Sequence, residues 1–86
     1  MNRSFLLTVI LLTAFSSIAL AKNNVVTKYY SDGTILSRQV YYPNGAHKGP
    51  DKFYWPNGRL RLEYIYTGGQ LSKTLRWLDD GTPVTN

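Results

Sequence analysis

The sequence predicts an all-β protein, a single-layer antiparallel meander in which one hairpin follows another. Three observations carry this expectation. Five turn glycines, Gly33, Gly45, Gly58, Gly69 and Gly81, recur at spacings of 12, 13, 11 and 12 residues. Each ends a turn signal ("SDG", "PNG", "PNG", "TGG", "DDG"), and Asp-Gly and Asn-Gly tolerate the positive φ that tight hairpins demand. Between the turns lie runs rich in Tyr, Trp, Val, Ile, Leu and Thr, which suit a pleated surface. No stretch beyond Lys22 combines a 3.6-residue apolar period with helix caps.

The chain opens on a different segment. "MNRSFLLTVILLTAFSSIALA" has Arg3 near its start, an apolar stretch from Phe5 to Leu20, and Ala19-Leu20-Ala21 at its close. These are the three regions of a secretory signal peptide, so residues 1–21 are expected to be a helical leader, cleaved after Ala21. The apolar run is shorter than the roughly 18–20 residues that a spanning helix needs. The expected location is outside the cytoplasm, periplasmic or secreted. Residues 22–86, 65 in number, then form one small domain. Chains of this size bury only about 60% of their unfolded surface. Exported domains of this size often rely on disulfides, but this chain has no cysteine. Without Arg3 the formal charge falls from +5 to +4, a mild basicity that favours anionic surfaces without pointing to nucleic acid.

Taken in order, "VVTKYY" leads into the first turn and "TILSRQVYY" runs from it to the second, with apolar residues at both parities. "AHKGPDK" (46–52) breaks the pattern; Gly49-Pro50 implies a bend or bulge before the strand at Phe53, the least regular connection in the chain. In "RLRLEYIY", Leu60, Leu62, Tyr64 and Tyr66 share one parity, as do Leu71, Lys73, Leu75 and Trp77 in "QLSKTLRWL". An even loop at Gly68-Gly69 pairs Tyr66 with Leu71, Leu62 with Leu75 and Leu60 with Trp77. An even loop at the second "PNG" pairs Trp55 with Leu60 and Phe53 with Leu62. Four residues are expected in that loop, because a two-residue loop would put Pro56 where a ladder N–H is needed. These registers gather Phe53, Trp55, Leu60, Leu62, Tyr64, Tyr66, Leu71, Leu75 and Trp77 on one face.

Little in the chain resembles catalytic machinery. His47 is the sole histidine and reads as a solvated loop side chain, and a metal site needs several ligands at set spacings. Asp32, Asp79 and Asp80 lie in turns, where Asp bonds to nearby backbone. Asp51 and Glu63 would form an acid pair only if the fold brought them together; Glu63 reads as a partner for Arg59, Arg61 or Lys73. The chain is therefore expected to be a non-enzyme, with no metal and no cofactor.

The phrases "YYSDGTIL", "YYPNGAHKGPDKFYWPNGRLRLEYIYTGGQL" and "WLDDGTPV" resemble MORN-type repeats in the variant found in YwqK-family antitoxins. The resemblance covers nearly all of residues 29–84. It implies an elongated single-layer sheet of successive hairpins that acts through protein or membrane contacts. A single layer has no lid of its own, and a patch of nine large side chains exceeds the few hundred Å² that monomers usually expose. The expected binding residues are Trp55, Leu60, Leu62, Tyr64, Tyr66 and Trp77 with Arg59 and Arg61; Lys73 and Arg76 lie beside or behind them. The expected function is an exported, antitoxin- or immunity-like protein of the envelope whose partner is another protein or a second copy. The alternative is an envelope ligand binder, with Tyr and Trp stacking on glycan rings and Arg or Lys meeting anionic lipid or glycan.

Overall fold

The computed structural model describes residues 21–85. The expected leader therefore lies outside the described residues, except for Ala21. The rest is a six-stranded antiparallel sheet in simple sequential order. The strands are β1 (Asn24–Tyr29), β2 (Ile35–Tyr41), β3 (Asp51–Tyr54), β4 (Leu60–Thr67), β5 (Gln70–Trp77) and β6 (Pro83–Val84). No helix occurs among the described residues.

Four of the five turns share one construction. In each, the aromatic or aliphatic residue before the loop exchanges backbone hydrogen bonds across three loop residues. The Trp55 N–H donates to the Arg59 carbonyl at 2.8 Å, and the Gly58 N–H returns to the Trp55 carbonyl at 2.8 Å. The same pair of bonds closes Tyr30–Thr34, Tyr42–Ala46 and Leu78–Thr82. The Asp or Asn before the glycine then accepts the N–H of the residue after it. Asp32 accepts from Thr34, Asn44 from Ala46, Asn57 from Arg59 and Asp80 from Thr82, at 2.9–3.0 Å. The glycines have φ between +88° and +93°, a region closed to most L residues. This is a type I turn followed by a left-handed residue, in which Pro43 and Pro56 pre-set the first loop position.

The three-residue loops correct the expectation of an even, four-residue loop at the second "PNG". At Gly68-Gly69 the expected even loop is present, with two residues. Both glycines have positive φ, and Thr67 pairs with Gln70 and Tyr66 with Leu71.

A bulge follows the turn at a constant offset. The register skips Leu36 in β2, Arg61 in β4 and Ser72 in β5, each three residues after its turn glycine. After Gly45 the corresponding residue is Lys48, and the N–H groups of Lys48 and Gly49 both donate to the Val40 carbonyl at 3.0 Å. That segment is the irregular one foreseen between β2 and β3, and its Gly49-Pro50 peptide is cis.

The bulges decide the faces. Arg61 is the extra residue that restores Phe53 opposite Leu62, while Tyr54, not Trp55, stands opposite Leu60. At Ser72 the bulge follows an even loop, so it inverts the phase. Leu62 then faces Arg76 and Glu63 faces Leu75. The expected pairs Leu62–Leu75 and Leu60–Trp77 do not form, and Leu75 belongs to the row of Glu63. One cross-strand row is Lys28, Ser37, Phe53, Leu62, Arg76 and Val84; the next, on the opposite face, is Thr27, Arg38, Lys52, Glu63 and Leu75.

Among the described residues no apolar side chain is buried. The only side chains withdrawn from solvent to that degree are polar, those of Ser37 and Asp51. The sheet is thus held by its ladders, its turns and half-buried aromatic contacts.

Candidate functional site

The Leu62 face carries a groove of about 400 Å³ lined by Trp55, Arg61, Leu62, Tyr64, Arg76, Trp77 and Val84. Each member is placed by the ladder or by a bulge. Leu62 lies between Phe53 and Arg76 in register, and Tyr64 meets Phe53 edge to face at 5.5 Å. Arg61 owes its place beside Leu62 to the bulge, because an extra residue re-aims a side chain that strict alternation would send to the other face. Its guanidinium lies 4.8 Å from the centre of the Trp55 ring, a cation–π contact. The Trp55 indole N–H donates to the Trp77 carbonyl at 3.2 Å, tying β3 to β5 across β4.

The turns at that end of the sheet are also joined. The Asn57 side-chain amide donates to the Asp79 carbonyl at 2.7 Å, and the Arg59 guanidinium donates to the Asp80 carbonyl. On the other side the Tyr30 hydroxyl donates to the Tyr54 carbonyl at 2.5 Å. The first, third and fifth turns, which share one end of the sheet, are thereby linked through side chains.

The opposite end holds a polar cluster. Asp51 is fully buried; it accepts from the Tyr66 hydroxyl at 2.9 Å and from the Val40 N–H at 3.3 Å. The His47 ring stacks on Tyr66 with centroids 4.5 Å apart and an interplanar angle of 7°, and Tyr41 flanks it at 5.2 Å. His47 Nδ1 lies 3.9 Å from Asp51 Oδ2, buried and without a hydrogen-bond partner. Desolvation, together with the hydrogen bond to Asp51 and that carboxyl's charge, pushes the Tyr66 hydroxyl up to about 12. The His47 side chain remains 43% exposed, as a loop histidine is expected to be, while one ring face stacks on Tyr66.

The remaining carboxylates are accounted for. Asp32 accepts both the hydroxyl and the N–H of Thr34, which hold its carboxyl below the ordinary value. Hydrogen bonds from the Thr82 hydroxyl and N–H lower Asp80, with the charge of Arg59 adding to them. Glu63 stands opposite Lys52 and falls on the other face from Asp51, so the two acids form no pair. Arg59 engages a turn, Arg61 a tryptophan, and Lys73 stands opposite Ile65, so none of the three serves Glu63 as expected.

Compared with known proteins, the chain matches no family model, no curated protein and no solved structure.

Of the expected binding residues, Trp55, Arg61, Leu62, Tyr64 and Trp77 come together in the groove. Leu60 pairs with Tyr54, Tyr66 belongs to the Asp51 cluster, and Arg59 braces a turn. Arg76 and Val84 are members that parity alone did not place there, since the Ser72 bulge is what brings Arg76 opposite Leu62. The sequence carried a weak sign of it in Ser72 itself, a small hydroxyl residue three positions after a turn glycine, as the other bulge residues are. Its hydroxyl donates to the Ile65 carbonyl and accepts from Thr67, both at 3.0 Å.

Proposed function

We propose that this is an exported, non-catalytic binding protein of the cell envelope. It is a MORN-like repeat sheet whose groove face is covered by another protein or a second copy, as in an antitoxin or immunity protein. The observation that carries the reading is the absence of buried apolar side chains among the described residues, beside a groove whose lining includes Trp55, Leu62 and Tyr64. Aromatics are favoured interface anchors because they bury much area with few rotatable bonds. The described residues form a single sheet with no second layer, which favours a partner as the lid.

The second reading, an envelope ligand binder that contacts anionic lipid or glycan, draws on one feature: Arg61 and Arg76 stand among the aromatics. Arginine stacked on an aromatic ring keeps its fork of donors for carboxylate or phosphate. Salt separates the two readings, because binding to an anionic surface fades with ionic strength while an apolar interface persists.

A photocrosslinking residue in place of Tyr64, in the groove, and another in place of Lys73, on the opposite face, test the proposal in living cells. An adduct of defined mass from position 64 alone supports a protein partner. Equal adducts from both positions, or none from position 64, reject it.

A further inference from the structure

We infer that the groove is a receptor for an acidic segment of a partner protein, one that seats an Asp or Glu carboxylate on Arg61 and Arg76 and an apolar neighbour against the tryptophans. This rests on the binding role proposed above and names the chemistry of the occupant.

The chain has five Asp and Glu residues. Asp32 and Asp80 are turned into their own loops, Asp51 is sealed beneath Tyr66, and Glu63 stands in the row of the opposite face. Asp79 sits in the last turn, where its carbonyl accepts from Asn57. Among the described residues neither Arg61 nor Arg76 has a carboxylate within ion-pair distance, although both are exposed. Two guanidinium groups thus line one concavity without a side-chain carboxylate partner among the described residues. Arg61 is moreover held by Trp55, so less rotamer freedom is lost when it meets a ligand. A planar guanidinium matches a carboxylate in a bidentate fork.

The distribution of the other cations favours a protein over a membrane. A bilayer is read by clusters of about four to eight Lys and Arg side chains on one surface. Here Arg38, Lys52 and Lys73 belong to the rows of the opposite face, Lys28 shares the groove face but lies out on β1, and Arg61 and Arg76 are the cations that line the recess. A groove of about 400 Å³ takes one or two side chains, not a plane of headgroups. Its lining mixes two arginines with aromatic and aliphatic residues, which suits a carboxylate flanked by an apolar residue. Such a combination occurs in an amphipathic peptide.

The test uses tryptophan emission: Trp55 lies in the groove against Arg61, and Trp77, the other tryptophan of the chain, is joined to it through its backbone carbonyl. The protein is purified after expression of the full chain. It is titrated with acetyl-Leu-Glu-Leu-Glu-Leu-amide, with the same peptide carrying Gln for Glu, and with phosphatidylglycerol vesicles. The expected result is a saturable change with the Glu peptide and binding at least about tenfold weaker with the Gln peptide. The Arg61→Gln/Arg76→Gln double variant should lose about tenfold, while Arg38→Gln on the other face binds as the parent does. Equal binding of the two peptides, or no response to either, overturns the inference. An arginine-dependent response to vesicles exceeding that to the Glu peptide overturns it too and assigns the site to a membrane. The peptide comparison is made on the parent protein, so it stands even if the double variant fails to fold. Failure of the peptide with a surviving adduct at position 64 rejects the acidic partner alone; loss of both rejects the binding face.

Discussion

Replacing Asp51 by Ala probes the most buried side chain in the sheet. The carboxylate has no exposed surface and accepts two hydrogen bonds, from the Tyr66 hydroxyl at 2.9 Å and the Val40 N–H at 3.3 Å. A bond to a charged group contributes about 1.5–3 kcal/mol, and the longer one counts for less. Ending the burial of a charge returns part of this loss. The net destabilisation expected is about 2–3 kcal/mol, roughly 10–20 °C in Tm at 4–8 °C per kcal/mol for a domain of this size. A core this small supplies only about 3–5 kcal/mol in all, so the variant should sit near its unfolding midpoint at modest denaturant. Asp51→Asn keeps an acceptor oxygen and should lose about half as much. Urea denaturation followed by circular dichroism measures both. An Asp51→Ala protein as stable as the parent would mean that the cluster costs as much to bury as its bonds return, and the reasoning would fail.

Three further outcomes can be checked. A Cβ on Gly49 would lie 2.8 Å from Tyr66 Cδ2 at a φ of +64°, whereas one on Gly33 meets nothing within 4 Å. Gly49→Ala should therefore cost the left-handed strain of about 1–2 kcal/mol plus an overpacking cost of about 1–3 kcal/mol, and Gly33→Ala the strain alone; equal Tm losses would count against this. The folded state holds the Tyr66 proton up to about pH 12, while an unfolded tyrosine releases it near 10, so stability should fall with rising pH across that window. Tyr66→Phe should abolish that fall, and persistence of the same alkaline slope in the variant would assign it to another group. Deleting Ser72 removes the unpaired residue of a bulge and should cost only its two hydroxyl bonds, about 1–2 kcal/mol, whereas inserting Ala after it should unfold the sheet. Equal tolerance of the two changes by thermal melting would contradict the bulge.

The all-β meander was legible because its punctuation is local. Asp32-Gly33, Asn44-Gly45, Asn57-Gly58 and Asp80-Gly81 each encode a whole turn: the side-chain oxygen takes the N–H two residues on, and the glycine takes the positive φ. The polar cluster was not legible. Asp51, His47 and Tyr66 are brought together by the detour through Gly49, across a sheet interval that no periodicity reports. Even the groove was only half visible, since Trp55, Leu62 and Tyr64 followed from parity and Arg76 did not.

What parity lacked was the bulge. A side-chain period of two makes every face assignment depend on whether each loop plus each bulge adds an odd or even number of residues. At the second "PNG" an odd loop and a bulge cancel, so Phe53 still meets Leu62. At Gly68-Gly69 an even loop and a bulge do not cancel, so β5 turns over, and Arg76 instead of Leu75 meets Leu62. Had both hairpins used the same loop, the row across Leu62 would have continued into Leu75, and Arg61 would have been the one charged residue among those lining the groove. The change of turn type after β4 therefore does more than reverse the chain: it places a guanidinium, with no carboxylate partner among the described residues, in the groove beside Leu62. The chemistry of the groove is in this sense decided by two glycines and a serine that do not belong to it.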